Sequence, residues 1–499
     1  MKCIELLKTR VLSFGFELIG TLFAILFIIL IPAVVKAEVV TDGTTGPATA
    51  LSGPAYRIGD DIGSRAGNNL FHSFERFSLL EQESATFTGP NDIANVISRV
   101  TGGSVSTIDG LLRSEVGTAD FYFINPAGVV FGPHAQVDVP AAFHVSTAYE
   151  LRFADGSVFS ATNPAASTLS AEAPESFGYL GTRVASLVVN GSKLEFAPES
   201  SVSLSGGNAS VQGDAAGAAR ISVPGGELRI SAVGNKAGAV PLTGELHPGA
   251  GSLQVTQAVI ETSGDGGGEL RVGAGSATLT NATLAADNTG STDAAGGLDI
   301  AVAGALEVNA SRIQSNAFGS GAAGGVRVQA TDLSISQQGA DTLTGLFSEV
   351  EPGAIGNSGG VDVNLDGTLT MRGAVGIDAS SYGGGSAGDV TVRANMVDMD
   401  GEGAVVSYRN SDFYCGIESE VGKESSGKGG NVTVDVANRF SLINNACISS
   451  ATNGAGDAGG VKIESGSLLI DGKETEAGIT SQANELRRQN PVVFYNISL

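Results

Sequence analysis

Five residues in the second half of the chain are of the types that cleave polysaccharides: Asp362, Asp389 and Arg393, then Asp398 and Asp400. Two carboxylates flanking a glycosidic bond supply an acid and a base or nucleophile. The same residues alternate with Thr, Asn and apolar side chains, which is also how the water-facing positions of a strand are filled. Solvated strand positions are the simpler reading, so no catalytic residue is assigned and the chain is not expected to be an enzyme. A carbohydrate-active lyase or hydrolase stays as the alternative, with one discriminator: acids grouped on one face of consecutive repeats favour catalysis, dispersed acids a scaffold. His72 and His144 lack the spaced Cys, His or Asp partners of a zinc site and read as packed or polar histidines. Gly266-Gly267-Gly268 does not join a strand to a dinucleotide-binding helix. No metal and no cofactor is expected.

Chemistry of another kind is open to the cysteines. Cys3 lies near the N-terminus, and Cys415 and Cys447 lie at nearly equivalent places ahead of the glycine pairs that begin at Gly429 and Gly459. Stacked in neighbouring repeats, their Cα atoms come within disulfide range of about 5–6 Å, and the bond would add about 3 to 4 kcal/mol. Two unpaired, buried small hydrophobes are the alternative.

The elements that must position these residues repeat. From Gly297 onward a glycine pair is followed by three short strands with apolar residues at every second position, as in Leu298, Ile300, Val302, then Leu306, Val308, then Ile313. Further repeats start at Gly325, Gly360, Gly388, Gly430 and Gly460, and polar inserts such as Gln337 to Gly345 and Tyr408 to Tyr414 fall at turns. A unit with one apolar strand face cannot close its own core and must stack on its neighbours. The spacing therefore predicts an all-β solenoid, a parallel β-helix over residues 166–484, with ladders of Val, Ile and Leu inside. At about 4.8 Å per coil, about fifteen coils make a rod on the order of 70 Å long. A disordered linker lacks strict alternation; a β-sandwich is the nearer rival.

Composition agrees. Hydrophobic residues are 42% of the 499, aromatics 6%, and Trp is absent, which suits many thin layers better than one bulky core. A net charge of −24 repels nucleic acid and anionic membranes and keeps a long rod soluble. The G-G-x-G-x-D repeat of calcium-loaded β-rolls does not occur.

At the N-terminus Lys2, Lys8 and Arg10 precede an apolar run from Leu22 to Ile31, then Pro32 and the small-residue site Val35-Lys36-Ala37. Residues 1–37 read as a secretory signal peptide cleaved after Ala37; a retained anchor is the alternative. At the other end Glu485-Leu486-Arg487-Arg488 breaks the repeat, so 485–499 is expected to be a cap or a truncated end.

Residues 38–165 differ from the repeats in concentrating Phe, Tyr and three of the four histidines. The block holds Asn69-Leu70-Phe71-His72-Ser73-Phe74, Ile97-Ser98-Arg99-Val100-Thr101-Gly102-Gly103, Phe121-Tyr122-Phe123-Ile124-Asn125-Pro126-Ala127-Gly128-Val129 and Phe153-Ala154-Asp155-Gly156. In this order the motifs resemble the haemagglutination-activity, or two-partner-secretion, domain of filamentous-haemagglutinin-like exoproteins, in particular its cyanobacterial type. The resemblance implies a domain that begins and caps a right-handed β-helix. It implies as partner an outer-membrane β-barrel transporter whose periplasmic domains recognise it, and a product that is secreted or held at the surface of a Gram-negative-type bacterium. An adhesin-like role follows, with host or neighbouring-cell glycans or surface proteins as further partners and no nucleic acid. A toxin of the same secretion class would need a C-terminal effector domain. The residues carried over to transporter recognition are Asn69, Phe71, Phe74, Asn125, Pro126 and Gly128, although Ala127 stands where the family has a second Asn. Asn-Pro with a following Gly is also a turn signal needing no partner. Phe71, Phe74 and Phe77, three apart, fit one face of a helix or an aromatic cap on the first coil.

Overall fold

The computed structural model describes residues 38–181, 185–339, 343–408, 411–473, 475–482 and 497–498. The expected signal peptide, 1–37, and nearly all of the expected end segment, 485–499, lie outside the described residues.

From residue 187 onward the chain winds as the glycine-anchored repeats predict. Leu298–Val302, Ala305–Asn309 and Arg312–Gln314 form the three strands of one coil, and each pairs in parallel with its counterpart in the next: Val326–Ala330, Asp332–Ser336 and Thr344–Phe347. The third strands build a ten-stranded parallel sheet from Lys193–Glu195 to Gly478–Thr480. The register puts like on like. Leu270, Leu298, Val326, Val361, Val390 and Val432 stack on the first face; Leu284, Ile313, Leu346, Ile377, Ile417 and Ile448 on the third. All are buried in one continuous core. Burying a Val, Leu or Ile contributes about 1.5–3 kcal/mol, so the interior ladders dominate the stability of the rod.

The corners explain the glycine pairs. A Cβ on Gly324 would collide with the carbonyl oxygen of Gly296 in the coil below, so the close approach of successive corners demands glycine. Buried serines close the same corners: Ser348 Oγ accepts from Gly359 N at 3.2 Å, and Ser419 Oγ accepts from Gly430 N at 3.0 Å.

The first rungs are built differently. Asn69–Phe77 is a strand, not a helix; it pairs in parallel with Asn95–Val100 and antiparallel with Val39–Thr41 and Ser64–Ala66. A bulge opposite Val40/Thr41 breaks the alternation, so Phe74 and Phe77 both enter the solenoid interior while Phe71 faces the other way. On that outer side lies a second layer absent from the repeat pattern. It is an antiparallel sheet of Glu150–Phe153, Val158–Ser160, Pro174–Leu180 and Ala237–Pro241. This sheet takes strands from both sides of the expected boundary at 165, the last of them Ala237–Pro241. Its underside encloses a second core of Phe71, Ile97, Tyr122, Leu151, Phe153 and Phe177 among others.

Candidate functional site

The double layer fixes the surroundings of every residue carried over from the family. Asn69 is buried between the layers: Nδ2 donates to Ser170 O at 2.9 Å and Glu172 O at 2.7 Å, and Oδ1 accepts from Asn95 Nδ2 at 2.7 Å. It ties the first two rungs to the outer sheet. Phe71 packs against Phe159 with ring centroids 5.0 Å apart, inside the second core. Phe74 meets Phe77 edge-on at 5.0 Å inside the solenoid.

Asn125, with no exposed surface, ends the strand Asp120–Ile124 and builds the turn that follows. Its Oδ1 accepts from Ala127 N at 2.9 Å and its carbonyl from Gly128 N at 3.0 Å, the bonding of an Asx-initiated turn. Its Nδ2 donates to Ser104 O and Ser106 Oγ, both at 2.9 Å, stapling the turn to the rung below. Pro126 is half-buried, and Gly128 takes a φ of +123°, a conformation that favours glycine. The turn expectation is thus met in full geometry, while the side chains of Asn69, Phe71, Phe74 and Asn125 present nothing to a partner that docks on the folded module.

Sequence reasoning passed over Arg99, which the structure makes the hub of the module. The guanidinium is 1% exposed and donates to Ser73 Oγ (2.8 Å), Ser160 O (2.6 Å), Ser167 Oγ (2.5 Å) and Thr44 Oγ1 (2.9 Å), with the Phe159 ring 4.0 Å from Cζ. One side chain joins the N-terminal segment, the first two rungs and the outer sheet. Burial pulls its pKa down to about 10, against the opposing charge of Asp42. Burial pushes Asp42 up, but bonds from Ser73, Thr44 and Thr101 outweigh that and hold it below the usual carboxylate value. The signal in the sequence was an Arg inside an otherwise apolar strand, Val96-Ile97-Ser98-Arg99-Val100.

His72 and His144 are packed, as read. His72 Nε2 donates to Gly59 O at 3.1 Å, and burial pushes its pKa down to about 4. His144 stacks on Tyr122 at 4.7 Å and bonds Ser203 Oγ at 2.8 Å; burial, then the charge of Arg229, push it to about 3. Both are neutral, structural side chains at ordinary pH.

The family model described as the TPS secretion domain matches residues 37–292, just over half of the chain. The chain belongs to that family. It is a two-partner-secretion exoprotein, and the match runs through the outer sheet and into the first plain rungs. Among solved structures, it is similar to the HMW1 secretion domain from Haemophilus influenzae, at 15% identity and a TM-score of 0.43 over 86% of this chain and 97% of that one. It is similar also to the filamentous hemagglutinin secretion domain, at 12% identity and a TM-score of 0.28 over 88% and 100%. No curated protein matches it.

Beyond the family module, two expectations change. The disulfide between Cys415 and Cys447 is not formed. Cys415 pairs with Ala446, and Cys447 with Gly416, an offset of one residue. Successive strand residues point to opposite faces, so Cys415 enters the core, where burial raises its pKa, while Cys447 points outward with Sγ 3.0 Å from Glu418 Oε1.

The five residues singled out for polysaccharide chemistry are scattered and occupied. Arg393 pairs with Asp362 at 3.4 Å on the first face, and Arg372 with Asp398 at 2.6 Å on the second. Asp389 accepts from Asn431 N at 2.7 Å, and Asp400 from Asn444 Nδ2 at 2.8 Å. They hold neighbouring rungs in register. Acids do gather elsewhere: Glu349, Asp378, Glu418 and Glu420 lie on the third face of three consecutive rungs. Aligning the third strands alone, Phe347-Ser348-Glu349, Asp378-Ala379-Ser380 and Glu418-Ser419-Glu420, would have found them.

Proposed function

We propose that residues 38–241 are the segment a partner outer-membrane barrel captures in the periplasm, that capture precedes folding, and that the emerging rod serves outside the cell as an adhesin-like surface. The observation that carries this reading is burial. Asn69, Phe71, Phe74 and Asn125 are each at most 1% exposed, so their side chains are legible to a partner only while the chain is open. Arg99 and the outer sheet then close the module, and its last rung offers unpaired strand edges on which the next coil folds. A solenoid whose units contact only their neighbours can propagate from one end, so folding outside the cell draws the chain outward without a nucleotide. The adhesin role rests on the rod's length and on faces free of any formed catalytic constellation among the described residues.

The grouped acids are what a carbohydrate-active reading asked for. Glu349 and Asp378 have no exposed surface, however, and a polymer has no path to them. The enzyme reading is therefore not adopted.

Deleting residues 38–241 from the full chain tests the export step. The truncated protein should accumulate in the periplasm while the intact chain reaches the medium or the cell surface; export of the deletion at the normal level would refute the assignment.

A further inference from the structure

One corner of the rod recurs from rung to rung. It follows the third strand of each coil, and a column of single bridges runs along it from Asn288 through Ala317, Val350, Ser381 and Val421 to Thr452. In four of these rungs the turn opens on a residue and a glycine: Thr289-Gly290, Phe318-Gly319, Tyr382-Gly383 and Asn453-Gly454. In the fourth alone a carboxamide side chain precedes the glycine N–H. That arrangement lets the main-chain nitrogen reach the side-chain carbon and close a five-membered ring.

The chain holds one other Asn-Gly pair, Asn190-Gly191, and the fold surrounds the two differently. Asn190 ends the strand Leu187–Asn190 and pairs with Gln212 of the next coil, where the Gly191 N–H donates to Gln212 O at 2.8 Å. Attack by that nitrogen requires the ladder to open first. Asn453 lies in a turn, half-exposed, and its carboxamide makes no hydrogen bond among the described residues. The Gly454 N–H donates to Thr452 Oγ1 at 3.3 Å, a long bond within the turn itself. Neither reacting group is tied to a neighbouring coil.

The reaction balances with water as its only co-reactant. Gly454 N gives up its proton and bonds Asn453 Cγ, Nδ2 leaves as ammonia carrying that proton, and a succinimide remains. Water then adds to one of the two ring carbonyls. Breaking the N–Cγ bond gives aspartate; breaking the bond from N to the main-chain carbon gives isoaspartate, whose backbone is one carbon longer. The corner has no room for that carbon. A Cβ on Gly454 would collide with the carbonyl oxygens of Ser425 and Gly422 in the rung before. Asn453 N donates to Val421 O at 2.8 Å and Ala455 N to Ser425 O at 3.0 Å, so lengthening the chain between these two anchors displaces one of them.

We propose that Asn453 is a site of spontaneous deamidation, a slow chemical clock that loosens the corner between the strands Ala446–Ser449 and Val461–Asp471 as the protein ages. The turn geometry is shared with the rungs before it; the carboxamide is what makes this rung reactive.

The test is to age the full mature chain in mildly alkaline buffer, where the amide nitrogen loses its proton more readily. Isoaspartate is then mapped by protein isoaspartate methyltransferase labelling and peptide mass spectrometry. Opening the ladder at Gly191 costs at least about a factor of ten, so in the folded chain Asn453 should convert at least about tenfold faster than Asn190. In denaturant the two sites should convert at similar rates. Asn453→Gln, aged alongside, should show no product at that position and should keep the hydrogen-exchange protection of Ala446–Ser449 that the aged wild type loses. Equal rates at Asn190 and Asn453 in the folded chain, or an Asn453 amide that survives there while the denatured chain converts, would overturn the site. Unchanged protection in a fully converted chain would overturn the clock.

Discussion

Replacing Asn125 by Ala separates a turn-builder from a side chain read by the transporter. The substitution removes three hydrogen bonds from a site with no exposed surface: Ala127 N to Oδ1, and Nδ2 to Ser104 O and Ser106 Oγ. A typical buried bond contributes about 1 kcal/mol net, and a partner left unsatisfied costs about 1–3 kcal/mol. Losing three such bonds and leaving the half-buried Ala127 N–H unpaired therefore costs about 3–4 kcal/mol, or roughly a 10²- to 10³-fold increase in local opening at about 1.4 kcal/mol per decade. Hydrogen exchange of the purified full chain should show the loss in Asp120–Ile124 and Val129–Phe131. Asn125→Asp keeps the Oδ1 acceptor but sets a second carboxylate oxygen against the Ser104 carbonyl in a site with no exposed surface, so it should be no more stable than Ala. On the proposal that capture precedes folding, secretion yield should drop far less than stability. Protection at the wild-type level combined with abolished secretion would refute the reasoning and make Asn125 a recognition residue.

Three further outcomes follow from the same contacts. Arg99→Met strips the bonds to Thr44, Ser73, Ser160 and Ser167 and should destabilise the N-terminal module by about 3–5 kcal/mol, the usual loss when a buried charge network is broken; a thermal melt followed by circular dichroism should show that module unfolding earlier, while an unchanged melt would contradict the hub role. His72 and His144 have folded values lowered to about 4 and about 3, so the unfolded chain binds protons first as pH drops below the ordinary histidine value. Their contribution is present above that value and lost on acidification, by about 3 kcal/mol for His72 between about pH 6.5 and about pH 4; His72→Gln should flatten that part of the stability–pH curve. Cys415 and Cys447 should both titrate as free thiols in the denatured, secreted chain, and a reductant should leave the melting temperature unchanged.

How much of this was legible in the sequence depends on which face of a strand a residue occupies. The interior ladders could be read because one strand face is apolar and the other polar, as in Leu298-Asp299-Ile300. The outer sheet could not, because Asn69–Phe77 and Asp120–Ile124 are buried on both faces and lose the alternation that marks a solenoid strand. The same loss made the Phe71, Phe74 and Phe77 spacing look helical, when a bulge brings Phe74 and Phe77 to one side. The cysteine register failed because the count ran to the glycine pairs, and the stretch from Ile417 to Gly429 is one residue longer than that from Ile448 to Gly459; a shift of one residue reverses the face. For the candidate site, the Asn125 turn was legible from local chemistry. Arg99 was not, because its partners come from residues 44, 73, 160 and 167, far apart in the chain. The third-face acids escaped because outward positions were taken as wet, and only the packing of Phe413 over Gly376 shows that they are covered.

The most direct test of the central claim is to measure binding of the partner transporter's periplasmic domains to the mature chain in two states, folded and freshly diluted from denaturant. The account predicts that the open chain binds, that the folded chain does not, and that competence disappears at the rate at which residues 38–241 gain exchange protection. Equal binding by the fully protected, folded chain would contradict it.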